Sequence, residues 1–166
     1  MRREIYQEEL SYFYQKTGEA IWHLQIVEDL LVRLYIIKAV MVTVGSISED
    51  EAASQITKLQ RKTLGQVIGL FEKGNWVSTD FIRRLKDFNS MRKWIVHNSA
   101  REDGETLYTD KGRERFLSKI CQFTGQAVGF QHEIREVLVE YANEQGVQTD
   151  KIFEQSKRTI RKLRGE

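Results

Sequence analysis

The sequence predicts an all-α protein, an up-and-down bundle of four long helices followed by a short helix at the C-terminal end. Three observations carry that expectation. The 166 residues include no proline and 30% are charged, with Glu, Gln, Lys, Arg, Leu and Ile abundant, so the strongest helix breaker is missing and good helix formers dominate. Apolar residues recur at alternating spacings of three and four over long stretches, the period of one helix face. Turn-forming clusters are few and brief, which suits antiparallel neighbours joined by short loops.

The first helix is predicted from about Arg3 to Val44, along the seam Leu10, Tyr14, Thr17, Ile21, Leu24, Glu28, Leu31, Tyr35, Lys38 and Val42. Gly45 supplies its stop, and Ser48-Glu49-Asp50-Glu51 has the capping-box form for a second helix. That helix should run on through Leu59, Val67 and Phe71 until Lys73-Gly74-Asn75 ends it. Ser78 or Thr79 caps a third, carrying Phe81, Leu85, Phe88 and Ile95 to about Ser99. The polar stretch from Arg101 to Glu105 reads as a loop. The fourth helix carries Phe116, Ile120, Phe123, Ala127, Phe130, Ile134, Val137 and Tyr141, and Gly146 closes it. Thr149 or Asp150 could then cap a last helix over 149–166, ending in the basic run Lys157 to Arg164. With no internal repeat, low-complexity segment or linker, residues 1–166 form one domain.

Composition narrows the function classes. A net charge of +2, from 26 basic and 24 acidic residues, gives no overall pull on a polyanion, so local clusters must supply any such attraction. The apolar run from Leu34 to Val44 contains Lys38 and is shorter than the ~20 residues of a membrane span, so it belongs to the core and no membrane association is expected. One cysteine, Cys121, excludes an intrachain disulfide, and the charged start at Arg2, Arg3 and Glu4 is no signal sequence; both favour a cytoplasmic setting. His23 and His132 lack partners at metal-ligand spacing, so neither a metal nor another cofactor is expected. Trp22, Trp76 and Trp94 read as packing residues. The run from Lys157 to Arg164 either tracks a nucleic-acid backbone or is a solvated terminus.

The segment Asn89-Ser90-Met91-Arg92-Lys93-Trp94-Ile95-Val96-His97-Asn98 stands apart. On a helix, Phe81, Leu85, Phe88, Arg92, Ile95 and Ser99 share one stripe, which puts an arginine where the pattern calls for a core residue. Glu28 interrupts the seam of the first helix in the same way. Two arrangements satisfy such charges: they face each other or a shared polar cleft, or each snorkels out at the bundle edge. In a regular α-helix Arg92 and His97 would lie about 140° apart and roughly 7.5 Å along the axis, within joint reach of one phosphate. A guanidinium forks onto phosphate oxygens, and an imidazole moves protons near neutral pH, so the pair suits phosphodiester cleavage. Arg83, Arg84 and Lys86 on the polar face could widen a positive approach.

Arg-Lys-Trp-Ile-Val-His at 92 to 97, late in a helix and preceded by a long helix with an internal acid, resembles the signature of the HEPN superfamily (higher eukaryote and prokaryote nucleotide-binding domains). Its members are helical bundles that commonly dimerise. Where active they are metal-independent ribonucleases of toxin–antitoxin, phage-defence and RNA-processing systems. The resemblance implies that Arg92 contacts phosphate and His97 transfers protons, with Lys93, Glu28 and Asn98 in supporting places and RNA as the partner. It also implies a homodimer, since one histidine cannot serve as base and acid at once, and an antitoxin or other partner protein. Lys93 stands where the family most often has asparagine, and Ser99 where members paired with a nucleotidyltransferase antitoxin often have tyrosine. The alternative is a non-catalytic, HEPN-like dimer module that binds nucleotide or RNA or serves protein interaction, for which Lys93 speaks.

Overall fold

The computed structural model describes residues 2–39 and 46–146, and all the regular structure among them is helical. The elements are α1 (Gln7–Ala39), α2 (Glu49–Gln60), α3 (Leu64–Gly74), α4 (Thr79–Lys93), a π-helical turn (Trp94–Asn98), α5 (Ser99–Asp103), a 3-10 turn (Gly104–Tyr108) and α6 (Asp110–Glu144). The predicted stop at Gly45 and the predicted helix over 149–166 lie outside the described residues.

The all-α bundle is as expected, but its strand of connections differs from four long helices. Two helices are long, with 33 residues in α1 and 35 in α6. The predicted second helix is two. Its break falls at Arg61-Lys62-Thr63, where the Thr63 side chain accepts from the Gln66 N–H at 3.3 Å and the Gln66 side chain accepts from the Thr63 N–H at 2.8 Å. This second capping box starts α3 just as Ser48 and Glu51 start α2. The break adds a reversal of direction, so α1 and α6 run parallel: Glu9 meets Arg113, Phe13 meets Phe116, and Leu34 and Ile134 line one groove. α4 runs against both, with Phe81 and Phe88 on Phe130 and Trp94 on Phe116.

The core follows the helical period. In α1 the buried stripe is Phe13, Ala20, Leu24, Val27, Leu31 and Leu34. It agrees with the predicted seam at Leu24 and Leu31 and departs from it at Tyr14, which is exposed. Trp22 is also exposed, at 68%, so it is not the packing residue expected; Trp76 and Trp94 do pack, on Tyr35 and Phe116. In α4 and α6 the predicted faces are buried, and Phe88 stacks on Phe123 with ring centroids 4.6 Å apart.

The polar stretch from Arg101 is helical up to Asp103 rather than a loop, and passes into the 3-10 turn. That turn packs on the start of α6, where a side chain at Gly112 would overlap the Thr106 carbonyl oxygen. Extended residues before α1 dock onto it. The Arg3 N–H donates to the Tyr108 carbonyl at 2.8 Å, and Arg2 pairs with Thr109, which is why the helix begins at Gln7 and not at Arg3. The Arg3 guanidinium forks onto Glu9 at 2.6 and 2.8 Å, while the buried Arg113 binds the Leu107 carbonyl, Asp110 and Glu9.

The hydrogen bonds from Arg3 and from the Tyr6 N–H hold the Glu9 carboxyl at about 2, well below its usual 4.5. A carboxylate lowered by folding adds stability that is complete above about 4.5 and is lost as pH falls towards about 2. Hydrogen exchange at the Arg3 amide should therefore accelerate across that window, and Glu9→Gln should show the fast exchange already at neutral pH.

Candidate functional site

The site is built on the end of α4. Ser78 caps the helix by accepting from the Phe81 N–H at 3.2 Å, and Phe81, Leu85 and Phe88 anchor it in the core. The next place on that stripe is Arg92. Its side chain is 20% exposed, and its Nε donates to Glu28 Oε1 at 3.1 Å, so the two charges that interrupt apolar seams meet across α1 and α4. The pair leaves the two Nη nitrogens of Arg92 for other partners, and the guanidinium is oriented by a fixed carboxylate.

After Lys93 the helix widens. The Ser99 N–H bonds to the Trp94 carbonyl, five residues back, which defines the π-helical turn that contains His97. This corrects the spacing expected from a regular α-helix. A π turn takes an extra residue to come round, so His97 swings from about 140° away to the side of Arg92, and both line one cleft. The turn is pinned from behind. The Trp94 Nε1–H donates to Asp103 Oδ2 at 2.9 Å, Lys119 donates to the same oxygen at 3.0 Å, and the Lys119 ammonium lies 4.4 Å from the Trp94 ring centroid. Asp103 is 6% exposed; burial acts to raise its pKa, but the bonds from Lys119 and Trp94 outweigh this and hold it below the usual carboxylate value.

The cleft has a volume of about 520 Å³ and is lined by Thr63, Gly65, Gln66, Asn89, Arg92, Lys93, His97 and Asn98. Arg92, Lys93, His97 and Asn98 are thus brought together as the motif predicts. Glu28 lies behind Arg92, in the wall of the neighbouring 170 Å³ cavity. No carboxylate lines this cleft, whereas each of the four other clefts described carries at least one. Lys93 and His97 have no ion pair among the described residues, and Asn98 accepts from Arg101 at 3.0 Å.

The opposite wall is the first turn of α3, which the single long helix expected for residues 49–74 concealed. Its Leu64 and Gly65 N–H groups have no carbonyl of their own helix to bond, so the wall carries partial positive charge. Thr63-Leu64-Gly65-Gln66 is itself a Thr-x-x-Gln capping signal, and reading it would have placed this helix start.

The chain matches no protein-family model, no curated protein and no solved structure. What the arrangement does chemically rests on its own geometry. The cleft offers a guanidinium, an ammonium, an imidazole and several amides, a set suited to an anionic ligand that also makes neutral hydrogen bonds.

The remaining candidates fall away. Arg83 pairs with Asp80 and Asp87, Arg84 with Asp80 and Glu133, and Lys86 with Glu72, so these charges are neutralised and do not extend a positive approach. His23 contacts Gln131 across α1 and α6 at 3.0 Å. Among the described residues no group of three His, Cys, Asp or Glu could hold a metal ion, and no helix is long and apolar enough to cross a membrane.

Proposed function

We propose that this protein is a metal-independent endoribonuclease of HEPN type, working in the cytoplasm, whose substrate lies in the cleft between α4 and α3. The observation that carries the reading is the carboxylate-free cleft into which Arg92, Lys93 and His97 converge. The ribose 2′-hydroxyl attacks the adjacent phosphorus, forming the P–O2′ bond, and the P–O5′ bond breaks to leave a 2′,3′-cyclic phosphate and a free 5′-hydroxyl. Arg92 and Lys93 bind the phosphate oxygens as charge builds on them, and His97 moves the proton. Lys93, where asparagine is commoner, adds a cation without removing either role.

The reaction needs a base for the 2′-hydroxyl and an acid for the departing 5′-oxygen. One cleft holds one His97, so a homodimer that joins two clefts supplies both. Val96, next to His97 and 42% exposed, offers apolar surface at the rim for such contact. A toxin–antitoxin or phage-defence role, with an antitoxin as partner, follows from the same resemblance.

The test is incubation of the purified protein with single-stranded and structured RNA in excess chelator. Cleavage leaving 2′,3′-cyclic phosphate ends, by a protein that sediments as a dimer, is the expected result. RNA binding without cleavage would instead support a non-catalytic RNA-binding module, and a strictly monomeric active enzyme would overturn the two-histidine scheme.

A further inference from the structure

Asn89 sits one turn before Arg92 on α4 and lines the same cleft. Its Oδ1 is buried and accepts no hydrogen bond, one of three such side-chain atoms among the described residues. A buried amide oxygen without a donor costs about 1–3 kcal/mol, so a folded protein keeps one where something else supplies the donor. The amide lies against α3 at Gly65, where even a methyl group would stand 3.2 Å from Nδ2. The absence of a side chain at Gly65 leaves that amide its space. Rotation about the terminal sp³–sp² bond, which is soft, turns the oxygen into the cleft.

We propose that Asn89 is a substrate-binding residue that accepts a hydrogen bond from the ribose 2′-hydroxyl beside the phosphate held by Arg92, so the site selects RNA over DNA at the sugar. The inference rests on the cleft being the RNA site. Spacing decides which donor is meant. Residues three apart on a helix are neighbours on one face, with Cβ atoms about 5–6 Å apart. The 2′-hydroxyl is on the carbon next to the one that carries the 3′ phosphate, whereas the donors of a base lie across the sugar. An acceptor one turn from the phosphate-binding guanidinium therefore matches the hydroxyl. The 2′-hydroxyl is also the group by which a protein tells the two polymers apart. No carboxylate lines the cleft, so Asn89 supplies a neutral acceptor that does not repel the phosphate.

The experiment uses the full chain carrying His97→Ala, so that RNA survives, and measures binding of one single-stranded RNA and the DNA of the same sequence. With Asn89 in place RNA should bind about five- to tenfold more tightly, the effect of one hydrogen bond. Adding Asn89→Ala should weaken RNA binding to the level of DNA and leave DNA unchanged, while Asn89→Ser, which keeps a smaller acceptor, should retain part of the preference. Equal weakening of both polymers, or no preference with Asn89 present, overturns the inference and leaves the cleft as a nucleic-acid site. Failure of both polymers to bind, or binding indifferent to Arg92→Ala, overturns the reading of the cleft and this inference with it.

Discussion

Replacing His97 with alanine should lower the rate of RNA cleavage by about 10²–10⁴-fold, the usual contribution of a positioned acid–base group, while changing RNA affinity only a few-fold. The separation follows from where the side chains stand. Phosphate affinity comes from Arg92, Lys93 and the first turn of α3, all of which stay in place, whereas the imidazole lies in the π-helical turn and makes no ion pair among the described residues that its loss would break. Single-turnover cleavage and equilibrium binding on the same preparation check both halves. Arg92→Ala should behave differently, since it also leaves Glu28 without its cation and so weakens binding along with cleavage. Parent-level cleavage by His97→Ala would place the chemistry elsewhere.

The largest loss of stability is expected from Phe88→Ala. Phe88 is fully buried, stacks on Phe123 with planes 3° apart, and meets Phe130 edge-on at 5.3 Å. Removing the ring forfeits these contacts and leaves a cavity between α4 and α6, at a cost of about 3–5 kcal/mol, a large share of the roughly 5–15 kcal/mol that keeps a domain folded. A urea titration followed by far-ultraviolet dichroism should show the midpoint fall with little change in slope. Because Phe88 is one turn from Arg92, the loosened helix should also weaken RNA binding in the variant that remains folded.

How far the sequence discloses these features depends on the range of the forces that set them. The stripe Phe81, Leu85, Phe88 and Ile95 and the caps at Ser48 and Ser78 are local, and the structure has them all. Meeting of Glu28 and Arg92 is legible too, because two charges in apolar seams are cheaper together than apart. The break before α3 is masked by periodicity, since Leu59 and Val67 fit one continuous helix and only the Thr63 capping box gives it away. The docked residues before α1 depend on Tyr108 and Thr109, more than a hundred positions away, which no local pattern encodes. Nor does any short-range signal announce the π turn. It goes with contacts from Trp94 to Asp103 and Lys119, residues that read separately as core, loop and surface.

That turn makes chain length, as much as residue type, a determinant of the site. A π turn spans the arc of an α turn with one residue more, so shortening the chain by one between Trp94 and Asn98 lets the segment relax into a regular helix. Arg92, Lys93 and the histidine would all survive such a deletion, yet the imidazole would sit four positions from Arg92 instead of five, in a different register with the cleft. A motif written as an arginine followed at variable distance by a histidine therefore describes several geometries, and in this protein the fifth position works with a bulged helix.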